Sequence, residues 1–233
     1  NDVNYYATNI HVNNGITKFV IEVNNSNSFS ITNFSNSQNF QKMFCSNQTN
    51  NFKFSMPGEH NLSNALAAIA TCHFLDLDHY DIVSGIQSFE GIKRRYDIQI
   101  NRKDLVFVDD YAHHPEEIRV TIETTKKIFP QRKITVVFQP HLFSRTQKLM
   151  NEFAEALSLA SELIILDIYP AREEPIVGVD STSLLDKCTL LEKEISNKDK
   201  ILDLLLSKKL EVLLTLGAGD IESLVDPIKN MLN

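Results

Sequence analysis

The chain has 233 residues, 42% of them apolar and 23% charged, an ordinary globular composition that excludes wholesale disorder. Its formal net charge of −7 makes it a poor non-specific partner for nucleic acid, although a local set of donors can still hold a phosphate-bearing small molecule. Apolar runs such as Leu163-Ile164-Ile165-Leu166 fall far short of the ~20 residues of a spanning helix, so no membrane partner is expected.

No basic-then-apolar leader is read at the start, and Cys45, Cys72 and Cys188 are too scattered for a disulfide framework or a metal cluster. A reducing cytoplasm is the expected compartment, and the start at Asn1 rather than Met points to a piece of a longer chain.

Residues 1–55 are rich in Asn, Ser and Thr, with Asn at 16 of the first 64 positions. Between the polar residues, Tyr5 to Val12, Thr17 to Val23 and Asn51 to Phe54 alternate with period two, which predicts antiparallel strands with one wet face. Asn13-Asn14-Gly15 is a hairpin-turn signal. The interleaved Phe, Ile and Val argue against a prion-like tract. After a break at Met56-Pro57-Gly58, an Ala-rich helix is predicted over Asn61 to Leu75 and a second over Tyr80 to Phe89. Gly91-Ile92-Lys93-Arg94-Arg95 reads as a hinge bearing a cluster of cations.

Beyond residue 100 the rhythm is strand–helix–strand. Leu105 to Val108, Ile134 to Phe138, Leu163 to Leu166 and Val212 to Leu214 are continuous apolar runs, the signature of parallel strands buried on both faces. Pro115-Glu116-Glu117 suits a first helical turn, and Leu149, Phe153, Ala156, Leu157 and Ala160 form one helical stripe. The expected fold class is α/β: a Rossmann-like, doubly wound, mostly parallel sheet with right-handed crossovers, preceded by a β-rich and helical unit.

Each apolar run feeds a polar loop: Asp109 to Pro115, Gln139 to Arg145, Asp167 to Glu174, and Gly217-Ala218-Gly219-Asp220. Ligands of open parallel sheets bind at the carboxyl ends of the strands, so these loops are the candidate site. Plainer readings exist for each feature. His113 and His114 suit helix caps or surface positions, and adjacent residues point apart, so at most one is expected to face a ligand. Gly217-Ala218-Gly219 suits a tight turn; with Glu222 at the third glycine position, an NAD-binding fingerprint fails. Asn61 and Asn64 suit helix caps, and Arg94-Arg95 a solvated pair. No G-x-x-x-x-G-K-[ST] phosphate loop occurs.

Five segments, in order, resemble the Mur ligase family: Pro57-Gly58-Glu59-His60-Asn61-Leu62-Ser63-Asn64-Ala65-Leu66-Ala67-Ala68, Gly91 to Asp97, Asp109 to Pro115, Phe138-Gln139-Pro140-His141 with Ser144-Arg145-Thr146, and Asp167 to Asp180. The resemblance covers residues 1–225 and implies that 1–92 are the tail of a central ATP-binding domain lacking its phosphate loop. It implies that 93–233 are the C-terminal domain, and that the rest of such an enzyme is missing. The last two segments resemble the branch that joins L-alanine to UDP-N-acetylmuramate through an acyl phosphate, using ATP and Mg²⁺.

Carried over by motif, His60, Asn61 and Asn64 would lie near the adenine, Arg95 would reach the γ-phosphate as the catalytic cation, and Asp110 would accept from the ribose. Tyr111, His113, His141 and Arg145 would line the L-alanine and muramyl end. Leu142 stands where many relatives carry a basic residue, which leaves Arg145 as the carboxylate partner. No metal ligand is assigned in this chain, and the isolated piece is expected to be inactive. The rival readings are a Mur-type ligase that attaches a recycled peptide to the same nucleotide sugar, and a non-catalytic nucleotide- or peptide-binding module.

Overall fold

Period-two alternation in the first 55 residues produces the strands it predicts. In the computed structural model, which describes residues 5–13, 16–23 and 51–233, β1 (Tyr5–Asn13) and β2 (Ile16–Val23) pair antiparallel, and β3 (Asn51–Phe54) pairs antiparallel with β2. Asn14 and Gly15 of the predicted hairpin turn lie outside the described residues. Phe19 and Ile21 on β2 and Phe52 and Phe54 on β3 are buried, while Lys18 and Lys53 face water. Helix α1 (Glu59–Phe74) covers that apolar face with Leu62, Ala65 and Ile69, and α2 (His79–Ser88) adds Ile82. The chain divides into two units, Asn1–Gly91, which holds these elements, and Ile92–Asn233.

Helix α1 starts two residues before the Ala-rich run because Gly58, at φ 99°, turns the chain into it. The Asn61 side chain lies inside the first turn and donates to the Pro57 carbonyl at 2.8 Å. Neither Asn61 nor Asn64 is therefore the cap. At the other end of α1, the His73 ring lies 5.8 Å from the Tyr5 ring. Burial, reinforced by neighbouring His79, pulls its pKa from 6.5 to about 4. The fold thus favours the neutral imidazole. The stability gained is complete above pH 6.5 and is lost as the pH falls through about 4. A proton NMR titration is expected to show His73 uncharged until well below pH 6, with the urea midpoint of this unit falling over the same window. An unshifted His73 midpoint contradicts the burial argument.

In the second unit, β4 (Asp97–Asn101), β5 (Val106–Asp110), β6 (Ile134–Phe138), β7 (Glu162–Ile165), β8 (Glu192–Ile195) and β9 (Val212–Leu216) form a six-stranded sheet in the order β4-β5-β9-β6-β7-β8. The β4–β5 pairing is antiparallel and all others are parallel. The helices are α3 (Pro115–Ile128), α4 (Phe143–Lys148), α5 (Met150–Leu157), α6 (Ser181–Lys187), α7 (Ile201–Leu206) and α8 (Val225–Leu232). Val106, Val108, Val136, Phe138 and Leu163 pack on one face against Ile118 and Ile122 of α3, Phe153 and Leu157 of α5, and Leu184 of α6. Phe107, Val137, Ile164 and Leu213 pack on the other against Ile201 and Leu205 of α7 and Ile228 of α8. Helices on both faces of a mostly parallel sheet make the doubly wound α/β architecture. They also explain why these strands read as continuous apolar runs.

Two strands have no such run. β4 and β8 are the sheet edges, and β8, Glu-Lys-Glu-Ile, is charged, as suits an edge that must not recruit another strand. The predicted stripe from Leu149 to Ala160 is also interrupted: α4 ends at Lys148 and α5 at Leu157, so Ala160 lies past the helix.

Candidate active site

Parallel pairing brings the strand ends level. Asp110 of β5 sits opposite Leu216 of β9, Leu216 opposite Phe138 of β6, and Phe138 opposite Ile165 of β7. The four polar loops therefore leave the sheet from one row. Asp109 and Asp110 prove to be strand residues rather than loop residues, because they pair with Thr215 and Leu216.

The two hinge arginines have opposite surroundings. Arg94, at φ 61°, turns inward, with its side chain 8% exposed. Its Nε donates to Asp109 Oδ2 at 3.0 Å, Nη2 to the Gly217 carbonyl at 2.5 Å, and Nη1 to Glu222 Oε2 at 3.4 Å. The other oxygen of Asp109 accepts from Thr215 Oγ1 at 2.7 Å. Burial pushes the Asp109 carboxyl up, while Thr215 and Arg94 hold it back. The plainer reading of a solvated arginine pair thus fails for Arg94. Arg95 is exposed, with its guanidinium 5.6 Å from the Tyr111 ring centroid. Among the described residues it has no hydrogen-bond acceptor, so its five donors remain for an anion.

Asp110 is 8% exposed, and its two oxygens accept from the backbone amides of Tyr96 and Ala112, both at 2.8 Å. Burial raises its pKa to about 6, against the pull of those amides and of Arg95. Each carboxylate oxygen still has a second lone pair for a hydroxyl.

The next two histidines diverge. His114 is exposed at the N-terminus of α3. His113 turns into a row of rings: Tyr111 to His113 at 5.2 Å, His113 to His141 at 6.3 Å, and His141 to Tyr169 at 5.6 Å. Glu117, one turn into α3, accepts from the amides of His113 and His114 at 3.0 and 3.2 Å.

His141 is stacked on Tyr169 and bridged to it through the backbone. Burial, then Arg145 and His113, pull its pKa down. Arg145 lies on α4, whose first turn is held by Glu173: Ser144 donates to that carboxylate through its amide at 2.9 Å and through its hydroxyl. His141 Nδ1 and Arg145 Nη1 are buried with no hydrogen-bond partner among the described residues. Such orphans cost about 1–3 kcal/mol each, and a guanidinium nitrogen left this way calls for an anionic oxygen.

The glycine turn after β9 is shaped by its neighbours. Gly217 has φ 145°, and a Cβ there would lie 2.7 Å from the Gln139 carbonyl. Gln139 also donates to Asp220 Oδ1 at 2.7 Å and accepts from the Ile221 amide at 2.8 Å. This is a packed strand-to-helix turn with the role the plainer reading gave it.

One edge thus gathers Arg95, Asp110, Tyr111, His113, His141 and Arg145. His60, Asn61 and Asn64 belong to the first unit, where His60 and Asn64 are exposed and Asn61 is buried. Sequence reading gave Arg94, Glu117, Gln139, Tyr169 and Glu173 no individual role in the site. Tyr169 and Glu173 had a usable signal, since both sit in a loop leaving a strand end. Among the described residues no group of three or more His, Cys, Asp or Glu could hold a metal ion. No described helix is long and apolar enough to cross a membrane.

The chain is 44% identical over 181 residues to the UDP-N-acetylmuramate–L-alanine ligase of Flavobacterium psychrophilum, covering 78% of this chain and 40% of that protein. It is 44% identical over 177 residues to the enzyme of the same name from Parabacteroides distasonis, covering 76% and 38%. It therefore spans about 40% of the length of these relatives. Among solved structures, the UDP-N-acetylmuramate-alanine ligase of Thermotoga maritima aligns with a TM-score of 0.71 over 98% of this chain and 46% of that one, at 26% identity. The family model described as Mur ligase, glutamate ligase domain, matches residues 94–219, from the buried hinge arginine to the last glycine of the turn after β9. With the six-stranded sheet and more than half its length inside that match, the chain belongs to the Mur ligase family.

Proposed function

We propose that the chain is the C-terminal part of a cytoplasmic, ATP-dependent ligase of peptidoglycan precursor synthesis that joins L-alanine to UDP-N-acetylmuramate. Residues 1–92 are the tail of its ATP-binding domain, and 93–233 its C-terminal domain. The observation that carries this reading is a pair of guanidinium groups with uncommitted donors, Arg95 and Arg145, on one ring-lined sheet edge. A reaction between a phosphate-bearing and a carboxylate-bearing substrate needs two such cations.

ATP supplies the phosphoryl group that turns the muramyl carboxylate into an acyl phosphate. Arg95 neutralises phosphate oxygens, and Asp110 accepts from a ribose hydroxyl through its remaining lone pairs. On the purine side Asn64 is the freer amide, since Asn61 already donates to Pro57. Arg145 takes the amino-acid carboxylate, with Tyr111, His113 and His141 lining the same end. Mg²⁺ is held mostly by residues outside this chain.

The test uses the full-length protein with UDP-N-acetylmuramate, ATP and Mg²⁺. ADP release is expected to require L-alanine. Release driven by a free tripeptide instead establishes the peptide-recycling ligase. No release with either, together with retained nucleotide binding, establishes the binding module.

A further inference from the structure

We propose that His113 takes the proton from the incoming amine and that Glu117 is its positioning residue, an assignment that rests on the ligase reading above. His113 Nδ1 lies 3.0 Å from the Tyr111 carbonyl oxygen and 3.3 Å from Glu117 Oε2. Both oxygens are acceptors, so Nδ1 carries the hydrogen and the free lone pair belongs to Nε2. The same Glu117 oxygen is fixed by the amides of His113 and His114. Tautomer and ring orientation are therefore set by the first turn of α3 before any substrate arrives. A carboxylate behind an imidazole is the arrangement that steadies a histidine base and the imidazolium it becomes.

The groups facing this ring are Glu117 from α3, Tyr111 from the loop after β5, and His141 from the loop after β6, with Arg145 and Glu173 beside His141. Burial and the Arg145 charge disfavour the protonated form of His141. An amino acid whose carboxylate meets Arg145 brings its ammonium group to this same edge.

An ammonium nitrogen has no lone pair and cannot attack. His113 Nε2 accepts one proton, and the freed nitrogen pair forms the C–N bond to the acyl-phosphate carbon. The C–O bond to phosphate breaks with its electron pair leaving on the phosphate oxygen. That phosphate then takes the second amine proton, and Glu117 stabilises the imidazolium meanwhile.

The test compares L-alanine with hydroxylamine, a nucleophile already largely unprotonated at neutral pH, in the full-length protein and its His113→Gln and Glu117→Gln variants. With His113→Gln, turnover of L-alanine is expected to fall about 10²-fold while hydroxamate formation falls far less. Glu117→Gln should show the same split at smaller amplitude. In both variants the alanine deficit should shrink as pH rises and free amine accumulates. Equal losses with both nucleophiles at every pH overturn the proposal in favour of a structural role, as does undiminished alanine turnover in His113→Gln. If the unaltered protein forms no hydroxamate from UDP-N-acetylmuramate and ATP, the ligase reading itself fails.

Discussion

Replacing Arg94 with alanine is expected to destabilise the second unit by about 3–5 kcal/mol, the usual cost of removing one partner from a buried ion pair. The side chain is 8% exposed and its partner Asp109 is 1% exposed. Without the guanidinium, Asp109 keeps the Thr215 hydroxyl and loses the cation that offsets its burial. The Gly217 carbonyl loses its donor at the same time. Arg94→Lys should recover a fraction of the loss, since an ammonium carries the charge but cannot reach Asp109, Gly217 and Glu222 as one planar fork. Urea unfolding followed by far-ultraviolet circular dichroism reads the effect. A shift below about 1 kcal/mol would show that the hinge is held by something other than this residue.

The neighbouring substitution should do the reverse. Arg95→Ala in the full-length enzyme is expected to lower turnover by about 10²–10³-fold, the range for losing one preorganised donor to developing charge. Stability should stay within about 0.5 kcal/mol, because Arg95 is exposed and its guanidinium lies over one face of the Tyr111 ring. Steady-state ADP release together with the urea midpoint separates the two quantities. Wild-type turnover in Arg95→Ala discards the phosphate role.

Two adjacent arginines with opposite fates show where sequence reading reaches its limit. Period and composition are properties of a strand or helix, and they placed the four buried strands, α1, α2 and the first turn of α3 to within a few residues. The hinge has no period. Arg94 and Tyr96 both adopt positive φ, 61° and 48°; the Arg94 side chain is held by Asp109 and Gly217 and the Tyr96 hydroxyl by Thr125, all far along the chain. The loop that carries Glu173 was marked, but its partner was hidden for the same reason, since the contact with Ser144 spans 29 residues. Glu117 was legible as an acid favouring a helix N-terminus, but not as the acceptor that fixes the His113 ring. β4 and β8 escaped because edge strands carry little of the apolar signal that marks central ones. The loops, by contrast, were legible, because each follows an apolar run long enough to recognise.

The level row of strand ends, Asp110, Leu216, Phe138 and Ile165, has an evolutionary corollary. Every loop stands on the same hydrogen-bonded footing, yet the loops also lean on one another. Tyr169 stacks on His141, Glu173 holds Ser144, and Gln139 holds Asp220. An insertion or exchange beyond Ile165 leaves the strand ends in place but is felt at His141 and Ser144, so neighbouring loops of this scaffold diversify together.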